Sequence, residues 1–347
     1  MKALPQISIC IPVFNTEPTL AECIRSATEQ DFENFEIIVV NDGSTGTDSN
    51  GRECKKIVKL AQKECNKFRK TQGLSKIQIK YLEHKSNLAL VEARRTAVES
   101  ATGEYICCVD SDDTLMPGAL SSLYNAAIQE NADIVQGKTN IIDTHKGDIP
   151  QEQIDNRLSQ INKRYNNVFI GTLQAPQIFN GYLAKHNHVG ILWAKLIRRE
   201  LYLEALANIP FTKCVMCEDF LQYFFISLKA KKYVGIDKAV YNYSADTGIS
   251  SNTKIDTLER WEQVCSTANV FTIIFSAIKE IAAGTFSPEQ MDALRLQSRS
   301  YLVINLQQLK KNVIPELQEQ ALDLLYDYWG KDFVEIAQKH LQDDLNN

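Results

Sequence analysis

The chain has 347 residues, of which 44% are hydrophobic and 23% charged, and its formal net charge is −5 at pH 7. This composition excludes a disordered or collagen-like chain, because it holds enough apolar surface for a core and contains few glycines and prolines. The negative charge argues against nucleic acid as a partner, because phosphate binding needs a basic protein face. The length predicts two domains, or one large domain with an appendage.

Strand and helix patterns alternate over the first 140 residues. Residues 7–13 and 35–40 are apolar runs that predict buried strands, and residues 20–27 carry an apolar helix face with Thr16 as the cap. The same criteria predict a helix at 52–70, a strand at 77–82, a helix at 89–101, a strand at 105–109, a helix from 117 and a strand from 133. This alternation predicts an α/β fold with a mostly parallel central sheet flanked by helices.

The pattern weakens after residue 140. Polar residues dominate 140–190, which we interpret as a loop-rich insertion near the functional site. Apolar density returns over residues 191–243 and includes an amphipathic segment at 219–229. From about residue 255 only helical patterns are present, so we expect a C-terminal helical appendage.

Membrane and cysteine signals point to the cytoplasm. No stretch reaches the roughly 18 apolar residues that cross a bilayer, and residues 7–14 are interpreted as a strand because no signal-peptide cleavage site follows. The nine cysteines are odd in number and lie mostly in apolar patterns, which favours free thiols in a reducing compartment. The alternative for Cys214-x-x-Cys217 is a zinc site completed by His186-x-His188.

Acidic residues follow two of the expected strands, at Asp42 and at Asp110-Ser111-Asp112-Asp113. Because ligands bind outside the carboxyl ends of parallel strands, we expect both turns to meet in one crevice. Clustered carboxylates need a cation or hydrogen-bond donors, and an all-oxygen set suits Mg²⁺ or Mn²⁺. Each acidic motif also has a purely structural interpretation. Asp113 or Thr114 could cap a helix start, and residues 41–44 could form an Asx turn. A third acidic motif, at 217–220, could be the acidic first turn of a helix.

Taken together, these motifs resemble the family 2 glycosyltransferases with the GT-A fold. The resemblance is carried by residues 7–15, 35–45, 103–106 and 110–113, and downstream by Trp193-Ala194-Lys195-Leu196, Glu218-Asp219 and Tyr241-x-Tyr243. It covers about residues 5–250 and implies a GT-A domain at 1–250. Within that domain it implies a nucleotide-binding half at 1–140 and an acceptor and catalytic-base half at 141–250. The helical region at 251–347 carries no motif of this family.

The resemblance also implies roles for single residues. Asp42 would accept a hydrogen bond from the base, and Glu17 would reach the ribose. Asp112 would be the main ligand of Mn²⁺ or Mg²⁺ with Asp110 beside it, and Asp219 would be the general base, positioned by Glu218. The residues implied to bind the nucleotide-sugar are Pro12, Val13, Phe14, Glu17, Asp42, Lys85, Asn87, Arg94, Asp110 and Ser111.

The implied activity is an inverting hexosyl transfer similar to that of bacterial capsule and lipopolysaccharide enzymes. A sugar would pass from a nucleoside diphosphate, uridine by analogy, to a hydroxyl of a glycan or lipid-linked sugar. A divalent ion would neutralise the leaving diphosphate while a carboxylate takes the proton of the acceptor. Because lipid-linked acceptors are common in the family, the C-terminal helices are hypothesised to make a peripheral membrane contact.

The sequence departs from the family at two places in the third helix. Ala89 stands where the family commonly has glycine, and Arg95 where it commonly has asparagine. Arg94 or Arg95 is expected either to reach a phosphate or to lie on a solvated helix face. Two other functions are considered: a non-catalytic nucleotide-sugar binding module, and a nucleotidyltransferase, which usually needs a glycine-rich basic loop where this chain has Phe14-Asn15-Thr16-Glu17.

Overall fold

A computed structural model describes residues 4–144, 150–245, 254–281 and 285–346. The strands within these ranges are β1 Ile7–Val13, β2 Phe35–Asn41, β3 Ile79–Glu83, β4 Tyr105–Cys108, β5 Thr114–Leu115, β6 Ile134–Asp143, β7 Gly171–Gln174, β8 Lys195–Arg198 and β9 Lys232–Ala245. They form one sheet in the order β3-β2-β1-β4-β8-β6-β9-β5, and β7 pairs with β9.

Helices cover both faces of this sheet. The first eight are α1 Glu17–Thr28, α2 Cys54–Thr71, α3 Leu90–Ser100, α4 Ala119–Glu130, α5 Gln151–Tyr165, α6 Gln177–Leu183, α7 Arg199–Leu206 and α8 Glu218–Lys229. The last five are α9 Leu258–Cys265, α10 Thr267–Glu280, α11 Pro288–Asn312, α12 Gln318–Trp329 and α13 Lys331–Asn346, with a 3₁₀ turn at Pro315–Leu317.

Parallel pairing brings the acidic turns to one edge of the sheet. Strand β1 pairs in parallel with β2 and with β4, and β2 pairs in parallel with β3. Asp42 follows β2 and Asp110 lies two residues after β4, so both acids lie at the carboxyl edge, as predicted. The predicted α/β fold is confirmed. Parallel pairing, however, is continuous only over these four strands, because β8 runs antiparallel to β4 and to β6.

Side-chain alternation along β1 divides the core into two layers. Ile7, Ile9 and Ile11 pack with α1, α2 and α4 on one face. Cys10 faces the other side, where α3, α7, α8 and α10 pack against the sheet. Burying one large aliphatic side chain contributes about 1.5–3 kcal/mol, so both layers stabilise the sheet. A third cluster around Trp261 joins the C-terminal helices to each other.

Predicted and observed elements differ most between residues 140 and 190. The predicted loop-rich insertion is wrong, because strand β6 continues to Asp143 and α5, β7 and α6 follow within the described part of the segment. Helix α5 contains no buried residue, but Ile154, Leu158 and Ile161 recur at helical spacing along it, and sequence analysis overlooked this period among the many polar residues. By contrast, the helix predicted at 52–70 is observed as α2, displaced by one or two residues at its ends.

The C-terminal region is helical where the structure describes it, and one isolated bridge joins Ile255 to Val313. The predicted domain boundary at residue 250 lies outside the described residues and stays a prediction. None of the described helices is long and apolar enough to span a bilayer. All nine cysteines are free thiols, and all but Cys217 are buried.

Candidate active site

Asp42, directly after β2, is buried and held by two hydrogen bonds. Its Oδ1 accepts from the backbone N–H of Leu88 at 2.9 Å and lies 2.7 Å from Nδ1 of His84. The other ring nitrogen of His84 lies 2.9 Å from Oγ1 of Thr96 in α3. Sequence analysis missed His84, which belongs to no motif. The turn at Asn41 is closed by its own side chain, whose Oδ1 accepts from the N–H of Ser44 at 2.9 Å, three residues on rather than the two of an Asx turn.

Asp113 points into the protein rather than into the crevice. Its carboxylate accepts from the hydroxyl of Tyr241 at 2.9 Å and from the N–H of Ser244 at 2.7 Å. Burial and the neighbouring Asp112 and Asp110 raise the pKa of Asp113 to about 9. Interpreting this turn as a helix cap is wrong, because Thr114 starts β5 and α4 begins only at Ala119.

Strand β9 holds the acidic turn in place. The backbone N–H of Asp110 donates to the hydroxyl of Tyr241 at 3.1 Å, so one tyrosine contacts both Asp110 and Asp113. The ring of Trp193 stacks on Tyr241 at 4.8 Å and on Tyr243 at 5.2 Å. The two tyrosines lie on one face of β9, as i and i+2 residues of a strand do. Sequence analysis identified Tyr241-x-Tyr243 as a motif, but it did not predict that the Tyr241 hydroxyl contacts the acidic turn.

Ser111 joins the acidic turn to the start of α1. Its hydroxyl lies 2.6 Å from that of Thr16, and its carbonyl accepts from the hydroxyl of Thr19 at 3.0 Å. Thr16 precedes α1 as predicted, but its side chain makes no capping bond because it contacts Ser111 instead.

Glu17 carries a buried carboxylate that lacks a hydrogen-bond partner within the described residues. Its side chain is 1% exposed, and neither carboxylate oxygen is satisfied. Gly46 lies directly over it, since a Cβ at Gly46 would come within 2.5 Å of Oε2 of Glu17. Burying an unpaired carboxylate is costly, so this arrangement favours a ligand that brings hydroxyl donors.

Arg94 connects the two halves of the site. It is 1% exposed, and its guanidinium donates to Oδ1 of Asp219 at 2.5 Å and to Oδ1 of Asp110 at 3.0 Å. Although burial alone would lower it, Asp219 and Asp110 raise the pKa of Arg94 above its ordinary value. The interpretation of Arg94 as a residue on a solvated helix face is therefore wrong, because its guanidinium contacts two carboxylates.

Arg95 has a structural contact instead. Its guanidinium donates to Glu92 at 2.9 Å and to the carbonyls of Leu206 and Ile209 at 2.9 and 2.8 Å. These bonds fix the end of α7 to α3, so Arg95 is not on a solvated face either.

The Glu218-Asp219 pair forms the first turn of α8, as the acidic helix start predicted. The preceding residue, Cys217, adopts a left-handed conformation with φ 65°. Burial and the adjacent Asp219 raise the pKa of Glu218 above its ordinary range. Asp219 is ion-paired to Arg94 at 2.5 Å, whereas Glu218 lies 4.0 Å from it, so Arg94 contacts mainly Asp219 of the pair.

The carboxylates fit a divalent ion that arrives with a phosphate ligand. Among the described residues no group of three or more His, Cys, Asp or Glu side chains is arranged to hold a metal, so the alternative zinc site is not assembled there. Asp113 is buried against Tyr241 and Ser244, whereas Asp110 and Asp112 are the partly exposed carboxylates of the turn. One or two carboxylates are what Mg²⁺ commonly takes when phosphate oxygens complete its shell.

The remaining expected binding residues surround the same edge. Pro12 and Val13 are buried at the end of β1, and Phe14 is half-buried after it. Asn87 accepts from the N–H of Ala89 at 3.1 Å, and Lys85 is exposed. Ala89 has φ 74°, a conformation that glycine adopts freely.

This sheet, with acidic turns at its carboxyl edge and a Glu-Asp pair opposite, is the arrangement of the GT-A-type glycosyltransferases. The family model for glycosyl transferase family 2 matches residues 8–202, more than half of the sequence, and the chain belongs to this family. The family and fold class expected from the sequence are thereby confirmed.

Individual relatives agree with this assignment. The chain is 27% identical over 243 residues to the glycosyltransferase GlyA of Streptococcus pneumoniae, a match that covers 70% of this chain and 31% of GlyA. The chain thus spans about a third of the length of the first curated relatives that it matches.

Two solved structures share the fold. The S. aureus protein TarS, residues 1–349 in complex with UDP-GlcNAc, superposes with a TM-score of 0.51 at 20% identity and covers 96% of this chain and 92% of that one. The mannosyltransferase PcManGT of Pyrobaculum calidifontis, in complex with GDP-Man and Mn²⁺, gives a TM-score of 0.50 at 15% identity and covers 97% and 87%.

Proposed function

We propose that this chain transfers a sugar from a uridine diphosphate sugar to a hydroxyl of a glycan or lipid-linked acceptor, with inversion at the anomeric carbon. The donor would lie over the carboxyl ends of β1, β2 and β4, and the acceptor would approach from the start of α8. Membership of family 2 supports the transferase class. The proposal goes beyond this class in naming the donor, the acceptor and the stereochemistry.

The observation that carries the proposal is the position of Arg94. One buried guanidinium contacts Asp110 on the nucleotide side and Asp219 on the opposite side, at 3.0 and 2.5 Å. The two carboxylates are 109 positions apart in the sequence, yet a single side chain spans them. A cleft with carboxylates on both walls suits a reaction in which one wall holds the leaving group and the other accepts a proton.

The chemical step needs one base and one leaving group. Asp219 accepts the proton of the acceptor hydroxyl as that oxygen forms a bond to the anomeric carbon. The bond from this carbon to the diphosphate oxygen breaks at the same time, and the nucleoside diphosphate leaves with the electron pair. A Mn²⁺ or Mg²⁺ ion bound near Asp110 and Asp112 would neutralise charge on the diphosphate. No second protein acid is required, in contrast to glycosidases.

The nucleoside would be held by groups that the structure leaves ready for a ligand. Glu17 offers two buried acceptor oxygens without a partner in the described residues, which suits the paired hydroxyls of a ribose. Asp42 is held by Leu88 and His84, so its carboxylate is already oriented. The UDP-GlcNAc bound by TarS motivates uridine as the base. A cytoplasmic location is part of the same proposal, because nucleotide-sugar donors would have to be within reach of the site.

A nucleotide-sugar panel tests this function. We expect Mn²⁺-dependent hydrolysis or transfer with one UDP-sugar, and NMR of the product should show the anomeric configuration opposite to that of the donor. Retention of configuration would contradict the single displacement. Binding of UDP with Mn²⁺ but no turnover with any donor or acceptor would favour the non-catalytic binding module instead.

A further inference from the structure

A groove of about 400 Å³ lies between α10 and α11, away from the acidic crevice. The end of α12 and the start of α13 close it. Its floor is aromatic and is formed by Phe271, Phe275, Trp329 and Phe333. This volume lies in the range of sites that bind small molecules, which are typically lined by apolar and aromatic side chains.

The rim of this groove is positively charged. Lys279, Arg295 and Arg299 are exposed along it, and no Asp or Glu is among the described residues that line the groove. The sequence after residue 250 contains nine Lys and Arg but 14 Asp and Glu, so its net charge is negative. Three cations on one rim are therefore a local departure from the overall charge of this region. Arg295 pairs with Asp292 at 2.9 Å, but both side chains are exposed, and such pairs are weak and readily exchanged.

We propose that this groove binds an anionic phospholipid of a bilayer, with the headgroup phosphate among the three cations and the start of an acyl chain on the aromatic floor. An aromatic surface alone would accept any apolar partner, and cations alone would accept any anion. Their combination in one groove selects a molecule that carries both. Lysine and arginine near an anionic leaflet each contribute about 1 kcal/mol of attraction.

A neighbouring apolar side chain supports a bilayer as the source of this lipid. Leu296 lies three residues before Arg299, so the two side chains are neighbours on the surface of α11 at the edge of the groove. It is 62% exposed, the largest exposure among the large apolar side chains of the described helices and strands. An exposed leucine beside an arginine is typical of a helix whose cations bind headgroups while its apolar side chain enters the interface.

The groove adjoins the helix that carries Asp219. Phe271 on its floor contacts Phe220 with ring centroids 5.6 Å apart, and Phe220 follows Asp219 in α8. A lipid held in the groove would therefore keep the acidic crevice close to the bilayer surface. This consequence rests on the proposed function, whereas lipid binding itself does not.

Tryptophan fluorescence of the full-length chain tests the proposal. Trp193 and Trp261 are buried, whereas Trp329 is half-buried in the groove, so Trp329 is the tryptophan that a bound lipid can quench. Phosphatidylcholine vesicles that contain phosphatidylglycerol with brominated acyl chains should sediment with the protein and quench its fluorescence. Vesicles of brominated phosphatidylcholine alone should do neither. Absence of both effects with the anionic vesicles would overturn the proposal.

Matched charge variants separate the groove from general attraction. Removing two cations in Arg295→Gln/Arg299→Gln should lower vesicle partitioning about 25-fold, or about fivefold for each cation. Lys310→Gln/Lys311→Gln removes the same charge from exposed positions of the same helix and should stay near wild type. Equal loss in both variants would overturn the groove as the site. Circular dichroism melting of each variant shows that a loss does not come from unfolding.

A soluble amphiphile identifies the source of the phosphate. Octyl phosphate below its micellar concentration should quench or shift Trp329 weakly, and inorganic phosphate should have no effect because it lacks an apolar part. If octyl phosphate saturates the groove with the same dependence on Arg295 and Arg299 while anionic vesicles do not bind, the bilayer is not the partner and the proposal is overturned.

Discussion

The two ends of the sheet are built differently. Strands β3, β2, β1 and β4 pair only in parallel with each other, and the acids after β2 and β4 sit where the strands end. Beyond β4 the sheet mixes directions, and its functional residues are held by long-range contacts such as that of Tyr241 with Asp113, 128 residues apart. The first region therefore places its acids through local strand geometry, and the second places Asp219 only through tertiary contacts such as Arg94.

Asp219→Asn is expected to have the largest effect, because it removes the proton acceptor of the second region while the first region keeps its nucleotide contacts. Loss of a general base typically lowers kcat by 10²–10⁴-fold. The turnover assay with the donor found in the panel measures this. Asp327→Asn, an exposed aspartate in α12, is the matched control and should keep wild-type kcat. Transfer at the wild-type rate by Asp219→Asn would remove Asp219 from the reaction.

Arg94→Ala breaks the contact between the two regions. Removing one partner of a buried ion pair leaves the other charge uncompensated, so the free energy of unfolding should fall by about 3–5 kcal/mol. Chemical denaturation measures this loss. In a double-mutant cycle, Arg94→Ala should cost less when Asp219 is already Asn. Additive effects would show that Arg94 and Asp219 do not interact.

Much of the first region can be predicted from sequence, and less of the second. Strands buried on both faces appear as continuous apolar runs, which is why 7–13 and 35–40 identify β1 and β2. Helix α5 has an apolar period at Ile154, Leu158 and Ile161, but no side chain of it is buried and polar residues dominate the segment, so the helix is easily overlooked. In the site, the positions of Asp42 and Asp110 can be predicted because each residue comes just after the end of a parallel strand. The contacts of His84 with Asp42 and of Arg94 with Asp219 depend on packing between distant segments, which no local pattern encodes.

Asp113→Asn tests how β9 anchors the acidic turn, through the pH dependence of the unfolding free energy. The pKa of Asp113 is raised from 3.8 to about 9 in the folded chain, so its neutral form is favoured there. This contribution to stability is complete below about pH 4 and is lost as the pH rises towards 9, at up to about 1.4 kcal/mol per pH unit. Asn cannot ionise, so the variant should lose less stability than wild type between pH 5 and 8. Parallel pH profiles of the unfolding free energy would contradict a buried, neutral Asp113.

Glu17→Gln should stabilise the ligand-free chain and weaken nucleotide binding. The buried carboxylate without a partner in the described residues costs free energy that a neutral amide lowers, so unfolding should cost about 1 kcal/mol more. Loss of charged hydrogen bonds to a ribose should lower UDP affinity about tenfold or more. Thermal melting and calorimetry measure the two effects. If the variant bound UDP with wild-type affinity, Glu17 would not be a contact of the nucleotide.

Ala89→Gly should give the smallest effect, a stabilisation of about 1 kcal/mol. Ala89 has φ 74° at the start of α3, where a Cβ is strained and glycine is not. Ala97→Gly in the middle of the same helix is the matched control and should destabilise by a similar amount. Chemical denaturation of both variants decides this, since a shift of the same sign would exclude backbone strain at Ala89.

The central claim is that carboxylates from both regions serve one transfer reaction, Asp112 at the nucleotide-sugar and Asp219 at the acceptor. Calorimetric titration of UDP with Mn²⁺ into wild type, Asp112→Asn and Asp219→Asn tests it most directly. We expect wild type to bind UDP with Mn²⁺, Asp112→Asn to lose the Mn²⁺-dependent part, and Asp219→Asn to bind as wild type does. Absence of UDP binding to the wild-type chain, or equal loss of binding in both variants, would contradict the account.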